Sequence, residues 1–340
     1  MGTSVLDSMA KDPDVTSVLG LSRRRPQLTW PKTELVAADI TKDDLVSRFE
    51  GADAVIHLAW LIQPSRNVEL LRQTNVDGSR RVFRAAVDAG VRILVYGSSI
   101  GAYSPGSKDR AVDESWPTNG TPSSFYARHK AEVERSLDEF EQNHPNVRVV
   151  RLRPALIFKR EAASEIRRLF AGPFLPGSVL RRTLFPVFPI APGLSFQCVH
   201  SSDVGEAYRL AVTKDVSGAF NIAADPVIDA GKLSEILRAR PLTVPVQALR
   251  LGTAVTWRLR LQPTPEGWVD MGLSVPTIDS TRARTELGWA PRFSSVQALE
   301  ALLDGLRTGA GIETAPLTSS AGGPLRIREF IQGVGKRSGL

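Results

Sequence analysis

A phenol and an ammonium spaced for joint work stand in the run Ser123-Ser124-Phe125-Tyr126-Ala127-Arg128-His129-Lys130. On a helix, the interval between Tyr126 and Lys130 puts both side chains on one face about a turn apart. A phenol with a reference pKa of ~10 is a poor base, and bringing it to ~7 takes about 4 kcal/mol. An ammonium at close range favours the phenolate, as does the positive end of a helix whose first turn holds Tyr126. The two influences together are expected to lower Tyr126 toward proton-transfer range. The same spacing also recurs on ordinary solvated helices, so the surrounding elements must decide.

Those elements alternate. Val15 to Leu21, Glu34 to Ala38, Ala54 to Leu58, Ile93 to Tyr96 and Val147 to Leu152 read as strands. Amphipathic patterns over Thr41 to Phe49, Glu69 to Ala89, Ser124 to Asn143, Ser202 to Val212 and Ser295 to Thr308 read as helices. Alternation of this kind implies an α/β fold, a doubly wound parallel sheet with ligands at the carboxyl ends of its strands. After about Leu156 the rhythm fails. Pro173, Pro176, Pro186, Pro189 and Pro192 crowd a loop-rich insertion before Gln197 to His200 resumes strand character. The expected division is a dinucleotide-binding domain over 1–155 and 199–225, a substrate-binding lobe over 156–198 and 226–308, and a flexible tail over 309–340. The tail carries a short basic stretch at Arg326, Arg328, Lys336 and Arg337.

Composition narrows the function classes. At 340 residues and 42% hydrophobic, the chain can bury a full core. Its net charge of +7 is scattered among acids rather than gathered in a stripe, which does not indicate nucleic-acid binding. One cysteine, Cys198, excludes an internal disulfide and any cysteine-based metal site, and four histidines lack ligand spacing. A reducing, cytoplasmic setting is expected. The most apolar region, Phe170 to Leu194, is broken by Arg181, Arg182 and prolines, so no membrane span is expected.

In this order the motifs resemble an extended short-chain dehydrogenase/reductase of the NAD-dependent epimerase/dehydratase family. Tyr126 and Lys130 match the Tyr-x-x-x-Lys pair, and Ser98-Ser99 with Tyr103 matches the Ser-Ser-x-x-x-Tyr strand end. His57-Leu58-Ala59 resembles the stretch beside the nicotinamide ribose, Asp39-Ile40 the pair that contacts the adenine, and Asn75 a further family position. Arg153-Pro154 through Ile157 resembles the segment lining the nicotinamide. Val199-His200-Ser201-Ser202-Asp203-Val204 and Leu287-Gly288-Trp289 with Pro291 match later motifs. The resemblance spans about Gly2 to Thr308 and implies a Rossmann-type sheet with a smaller C-terminal lobe. It implies that Tyr126 exchanges a proton with a substrate hydroxyl or carbonyl, that Ser99 hydrogen-bonds the same oxygen, and that Lys130 sets the charge state of the tyrosine. A nicotinamide would move the hydride. Dimerisation through the helices bearing Tyr126 and Glu69 to Ala89 is common in the family, and a homodimer is entertained by analogy.

Plainer roles compete at several positions. Asp39 could start the helix at Thr41, Asn75 could cap the helix that follows, and Asp203 could sit in a first helical turn. His57 reads more simply as a strand-end residue satisfied by backbone, Cys198 as core, and Leu287-Gly288-Trp289 as packing. The second strand of the resemblance ends in Leu19-Gly20-Leu21-Ser22 and runs into Arg23-Arg24-Arg25, where an NAD-selective protein would place an acid. Ser22 and Arg23 therefore favour NADP, with NAD as the alternative.

The family's Gly-x-x-Gly-x-x-Gly turn is missing. Met1-Gly2-Thr3-Ser4-Val5-Leu6 resembles its end, with Gly2 as the last glycine and Ser4 to Met9 as the helix beneath the pyrophosphate. The resemblance thus implies a first strand upstream of the stated start, and open strand edges where it would lie.

The segment Arg153-Pro154-Ala155-Leu156-Ile157-Phe158-Lys159 lacks the Asn that nucleotide-sugar members use, so another hydroxyl or carbonyl substrate is comparably expected. Arg160, Arg167, Arg168, Arg181 and Arg182 are candidates for binding an anionic small molecule, or else a solvated face. The competing function is a non-catalytic NAD(P) sensor or scaffold on the same fold.

Overall fold

The computed structural model describes residues 1–63, 65–171 and 186–312. Arg181, Arg182, Pro173, Pro176 and the basic tail stretch lie outside the described residues.

Helix α1 (Gly2–Lys11) comes first, then β1 (Val18–Ser22), β2 (Thr33–Ala37), α2 (Val46–Phe49) and β3 (Ala54–His57). Helix α3 (Val68–Arg72) passes through a π-helical turn, Gln73–Asp77, into α4 (Gly78–Asp88). Strand β4 (Ile93–Gly97), helix α5 (Phe125–Asn143), and strands β5 (Arg148–Pro154) and β6 (Leu156–Phe158) follow, then α6 (Ala163–Ile166) and β7 (Val187–Ile190). The rest runs β8 (Cys198–His200), α7 (Ser201–Thr213), β9 (Gly218–Ile222), α8 (Ala230–Leu237), β10 (Arg240–Thr243), α9 (Val246–Arg258), α10 (Gly267–Ser274), α11 (Thr281–Thr285) and α12 (Ser295–Thr308).

The central sheet has the order β3-β4-β5-β9, all parallel, with Val95 opposite Val150 and Leu152 opposite Phe220. Parallel strands buried on both faces read as continuous apolar runs, which is the pattern of Ile93-Leu94-Val95-Tyr96. One face is covered by Val133, Leu137 and Phe140 of α5 and by Val82, Phe83 and Ala86 of α4, which pack on Leu94, Tyr96 and Val149. The other is covered by Val204, Ala207, Tyr208 and Ala211 of α7 with Val5 and Met9 of α1. Helices on both faces make this the doubly wound α/β architecture.

The sheet is interrupted between β1 and β3, which are the open strand edges that the resemblance implied. Strands β1 and β2 pair only with each other, and no strand among the described residues lies against the outer edge of β1 or of β3. The two fragments are held together by side chains: Val18 and Ile56 pack on one apolar cluster, Leu21 and Val55 on the other. Two further pairs, β6 with β8 and β7 with β10, also stand apart. The helix expected from Thr41 is shorter, starting at Val46, because Asp39 accepts from the Thr41 amide at 3.0 Å and its hydroxyl at 2.7 Å and so fixes a turn there.

Candidate active site

Strand β4 ends at Gly97 and delivers Ser98 and Ser99 to the carboxyl edge of the sheet. Ser99 Oγ accepts from the Gly101 amide at 3.0 Å, which closes a short turn. Gly101 is needed there, since a Cβ would stand 2.9 Å from Tyr126 Cε1. Helix α5 begins under a Ser124 cap, whose hydroxyl accepts from the Ala127 amide at 3.3 Å. Tyr126, Lys130 and Glu134 then share one face of α5 on successive turns.

Ser99 and Tyr126 are brought together: the Ser99 hydroxyl draws the half-buried phenol down, while burial pushes it above its ordinary value, and burial is the larger influence. The expected lowering of Tyr126 by Lys130 and the helix end is therefore corrected. Lys130 turns elsewhere. Its ammonium donates to Gly97 O at 2.6 Å and to Tyr96 Oη at 3.3 Å, and lies 3.6 Å from the Trp60 ring centroid. Burial lowers Lys130 to about 7, with Glu134 acting in the opposite sense.

Glu134 is fully buried and accepts both Arg153 Nε at 3.0 Å and Arg153 Nη2 at 2.9 Å, with Arg151 at 3.1 Å and Ser98 Oγ completing its shell. Those two guanidiniums hold it at about 2 despite burial. Arg153 also donates to Tyr103 Oη at 3.1 Å, and Tyr103 donates to Asn221 Oδ1 at 2.6 Å. Tyr103 thus ties β4's end to β9. The spacing from Lys130 to Glu134 was visible in the chain, and it was not read as part of the site.

The positions expected to meet a dinucleotide lie at strand ends. Ser22 closes β1 and donates to Arg24 O at 2.8 Å, and Arg23 follows it, exposed. Asp39 and Ile40 follow β2, and Ile40 fills the space beside Gly78. Leu58, partly buried, and Ala59, exposed, follow β3. Pro154 ends β5 opposite Ile222, whereas Ile157 lies within β6 opposite Val199. Asn75 does not cap a helix; its amide clamps Leu61, accepting from N and donating to O at 2.7 Å each. His57 is not satisfied by backbone as expected: Nε2 bonds Ser79 Oγ at 2.8 Å, and burial with Lys130 lowers its pKa to about 3. Asp203 accepts from the Arg292 and Phe293 amides at 3.1 and 3.0 Å, so it anchors the C-terminal segment. Cys198 and Trp289 are core, as expected. Arg160 pairs with Asp304 at 2.6 Å.

The first turn of α1 fits an anion. It holds no acidic residue and no side-chain cap, and nothing lies within 4 Å of where a Gly2 Cβ would stand. Lys159, buried just after β6, donates to Thr3 Oγ1 at 2.7 Å and sets a cation beside that turn. These features suit the pyrophosphate of a dinucleotide.

Three aromatic residues absent from the sequence reading surround Tyr126. Trp268 lies 5.0 Å from its ring centroid and Trp60 5.9 Å, and Phe170 packs edge-on to Trp268 at 4.9 Å. They come from three distant segments, and no local spacing announces them.

The fold is that of a Rossmann-type α/β class of protein. The NAD dependent epimerase/dehydratase family description matches residues 1–223, and the chain belongs to that family. An uncharacterised protein of Mycobacterium tuberculosis (strain ATCC 25618 / H37Rv) is 28% identical over 287 residues, 83% of this chain, but the chain spans only 26% of that relative's length. A 4-hydroxy-2-methyl-3-oxo-4-farnesyl-3,4-dihydroquinoline-1-oxide ketoreductase of Stigmatella aurantiaca is 25% identical over 285 residues, covering 79% of this chain and 82% of that one. Among solved structures, a dTDP-glucose 4,6-dehydratase from Streptomyces venezuelae with NAD bound superposes with a TM-score of 0.63 at 19% identity, covering 90% of this chain and 92% of that one.

Proposed function

We propose that the chain is an NAD(P)-dependent oxidoreductase or epimerase/dehydratase acting on a hydroxyl or carbonyl compound through Ser99, Tyr126 and Lys130. The observation that carries this is the approach of Ser99 to the Tyr126 phenol at the carboxyl end of the sheet, with Lys130 one turn further along the same helix face. When bound, the nicotinamide supplies or takes the hydride. Tyr126, held up by burial, acts first as the acid that gives its proton to a substrate oxygen, and Ser99 Oγ steadies that oxygen. Gly2, Thr3 and Lys159 would hold the pyrophosphate, and Asp39 with Ile40 the adenine. Arg23 beyond β1 supports NADP ahead of NAD.

The sensor reading has one observation in its favour: Lys130 is engaged by Gly97 O and covered by Trp60. Tyr126→Phe separates the two. The enzyme reading expects turnover to vanish with calorimetric NADPH affinity kept; a variant that behaves unchanged in every assay sinks it. Titration with NADPH and then NADH tests the cofactor order, and tighter NADH binding would overturn it.

A homodimer through α4 and α5 is proposed with it. A groove of about 540 Å³ lined by Arg80, Phe83, Arg84, Phe140 and His144 runs between those helices, and a monomer by sedimentation would remove the idea. A cytoplasmic location rests on the single cysteine and on no helix among the described residues being long and apolar enough to cross a membrane.

A further inference from the structure

Resting on the reading above, we propose that the substrate held against Tyr126 is a flat, uncharged aromatic carbonyl or carbinol compound bearing a second oxygen. Trp268 is tilted 36° to the phenol ring and Trp60 stands 76° to it, so Tyr126 sits in an aromatic corner. Phe170 and Phe125 meet Trp268 edge-on at 4.9 and 6.2 Å and extend the wall. Flat rings find favourable stacked and edge contacts on such surfaces.

The indole Nε1 groups of Trp60 and Trp268 are buried and have no acceptor among the described residues. Tryptophan N–H groups normally find a partner when buried, so two orphans flanking one phenol ask for an acceptor that a ligand brings. A carbonyl oxygen at Tyr126 and a second oxygen near an indole would meet that demand.

Charge argues the same way. The ammonium of Lys130 is capped by Trp60 and bonded to Gly97 O. Around the wall, Arg250 pairs with Asp270 at 2.7 Å and Arg66 lies over the Trp257 ring at 4.3 Å. Among the described residues these three cations are engaged, whereas a diphosphate-bearing substrate needs cations free to meet it.

The wall is built rather than accidental. Gln63 Nε2 donates to Leu169 O at 2.9 Å and to Pro263 O at 3.2 Å, and Ser65 Oγ donates to Pro263 O at 2.6 Å. Thr264 Oγ1 donates to Phe170 O. These bonds lace together the segments that carry Trp60, Phe170 and Trp268. Gly267 lets α10 press on the start of α5, since a Cβ there would stand 2.3 Å from Ser123 O. The surface is thus pre-organised, which lowers the cost of binding.

The test is calorimetric titration of the full chain and of Tyr126→Phe with 6-methoxy-2-naphthaldehyde, 2-naphthaldehyde and UDP-glucose. The expected order is methoxynaphthaldehyde tightest and UDP-glucose weakest, with Trp268→Leu weakening the first by roughly three- to tenfold and Trp268→Phe restoring most of it. If Trp268→Leu does not fold, as judged by circular dichroism, Phe170→Leu serves in its place with a loss in the same direction. UDP-glucose binding more tightly than either aldehyde overturns the proposal, as does unchanged aldehyde affinity in the folded variant. Aldehyde binding by both proteins with no turnover by the unsubstituted chain would sink the catalytic reading and still support this one.

Discussion

The Lys130 ammonium lies 3.6 Å from the centre of the Trp60 ring and 2.6 Å from Gly97 O, so it is held between an indole face and a strand-end carbonyl. A cation over an indole gains ~0.5–2 kcal/mol, yet burial outweighs this and leaves Lys130 at about 7. Lys130 therefore changes charge where enzymes work.

The first prediction follows from that value. Lys130 is lowered from 10.5 to about 7, so the folded protein binds fewer protons than the unfolded chain between those limits. The penalty for keeping it charged is fully present below pH 7 and fades as pH rises toward 10.5. The kcat/KM profile should show a limb near 7. Trp60→Ala admits water to Nζ and should move that limb upward; a limb that stays put would show that Lys130 does not produce it.

Glu134→Gln should destabilise by about 3–5 kcal/mol, because two buried guanidiniums lose their shared carboxylate. Pairing it with Arg153→Met should recover part of the loss. Urea unfolding of the two single variants and the double variant measures the coupling, and additive losses would contradict the network.

Acid sensitivity comes from two groups with depressed values. His57, ordinarily 6.5, stands at about 3, and its contribution is present above 6.5 and lost as pH falls toward that value. Glu134, ordinarily 4.5, stands at about 2, so its contribution is present above 4.5 and lost below. Thermal midpoints should fall from pH 6.5 downward and more steeply below 4.5. Replacing Glu134 by Gln should flatten the lower part only.

Gly267→Ala should cost about 1–3 kcal/mol and reduce kcat/KM, because the new Cβ meets Ser123 backbone rather than a side chain that can turn away. The displacement separates Trp268 from Tyr126, so tryptophan emission should change in the same variant. Gly272→Ala, with nothing within 4 Å, is the control and should leave both unchanged.

What the chain by itself determined was periodic or local. Continuous apolar runs mark the buried parallel strands, as Ile93 to Gly97 shows, and helical spacing puts Tyr126 and Lys130 on one face of α5. The packing role of Trp289 was legible from its residue type, since an indole brings a large apolar area. The tertiary structure alone decided where the side chains point. Burial, which no spacing reports, raises Tyr126 and lowers Lys130. Asn75 closes on Leu61 instead of a helix end, and His57 on Ser79. Trp60, Phe170 and Trp268 meet around one phenol because hydrogen bonds from Gln63, Ser65 and Thr264 join segments far apart in the chain. Pattern fixes a face within one element; which faces then meet depends on packing between elements, and there the environment of Tyr126 is made.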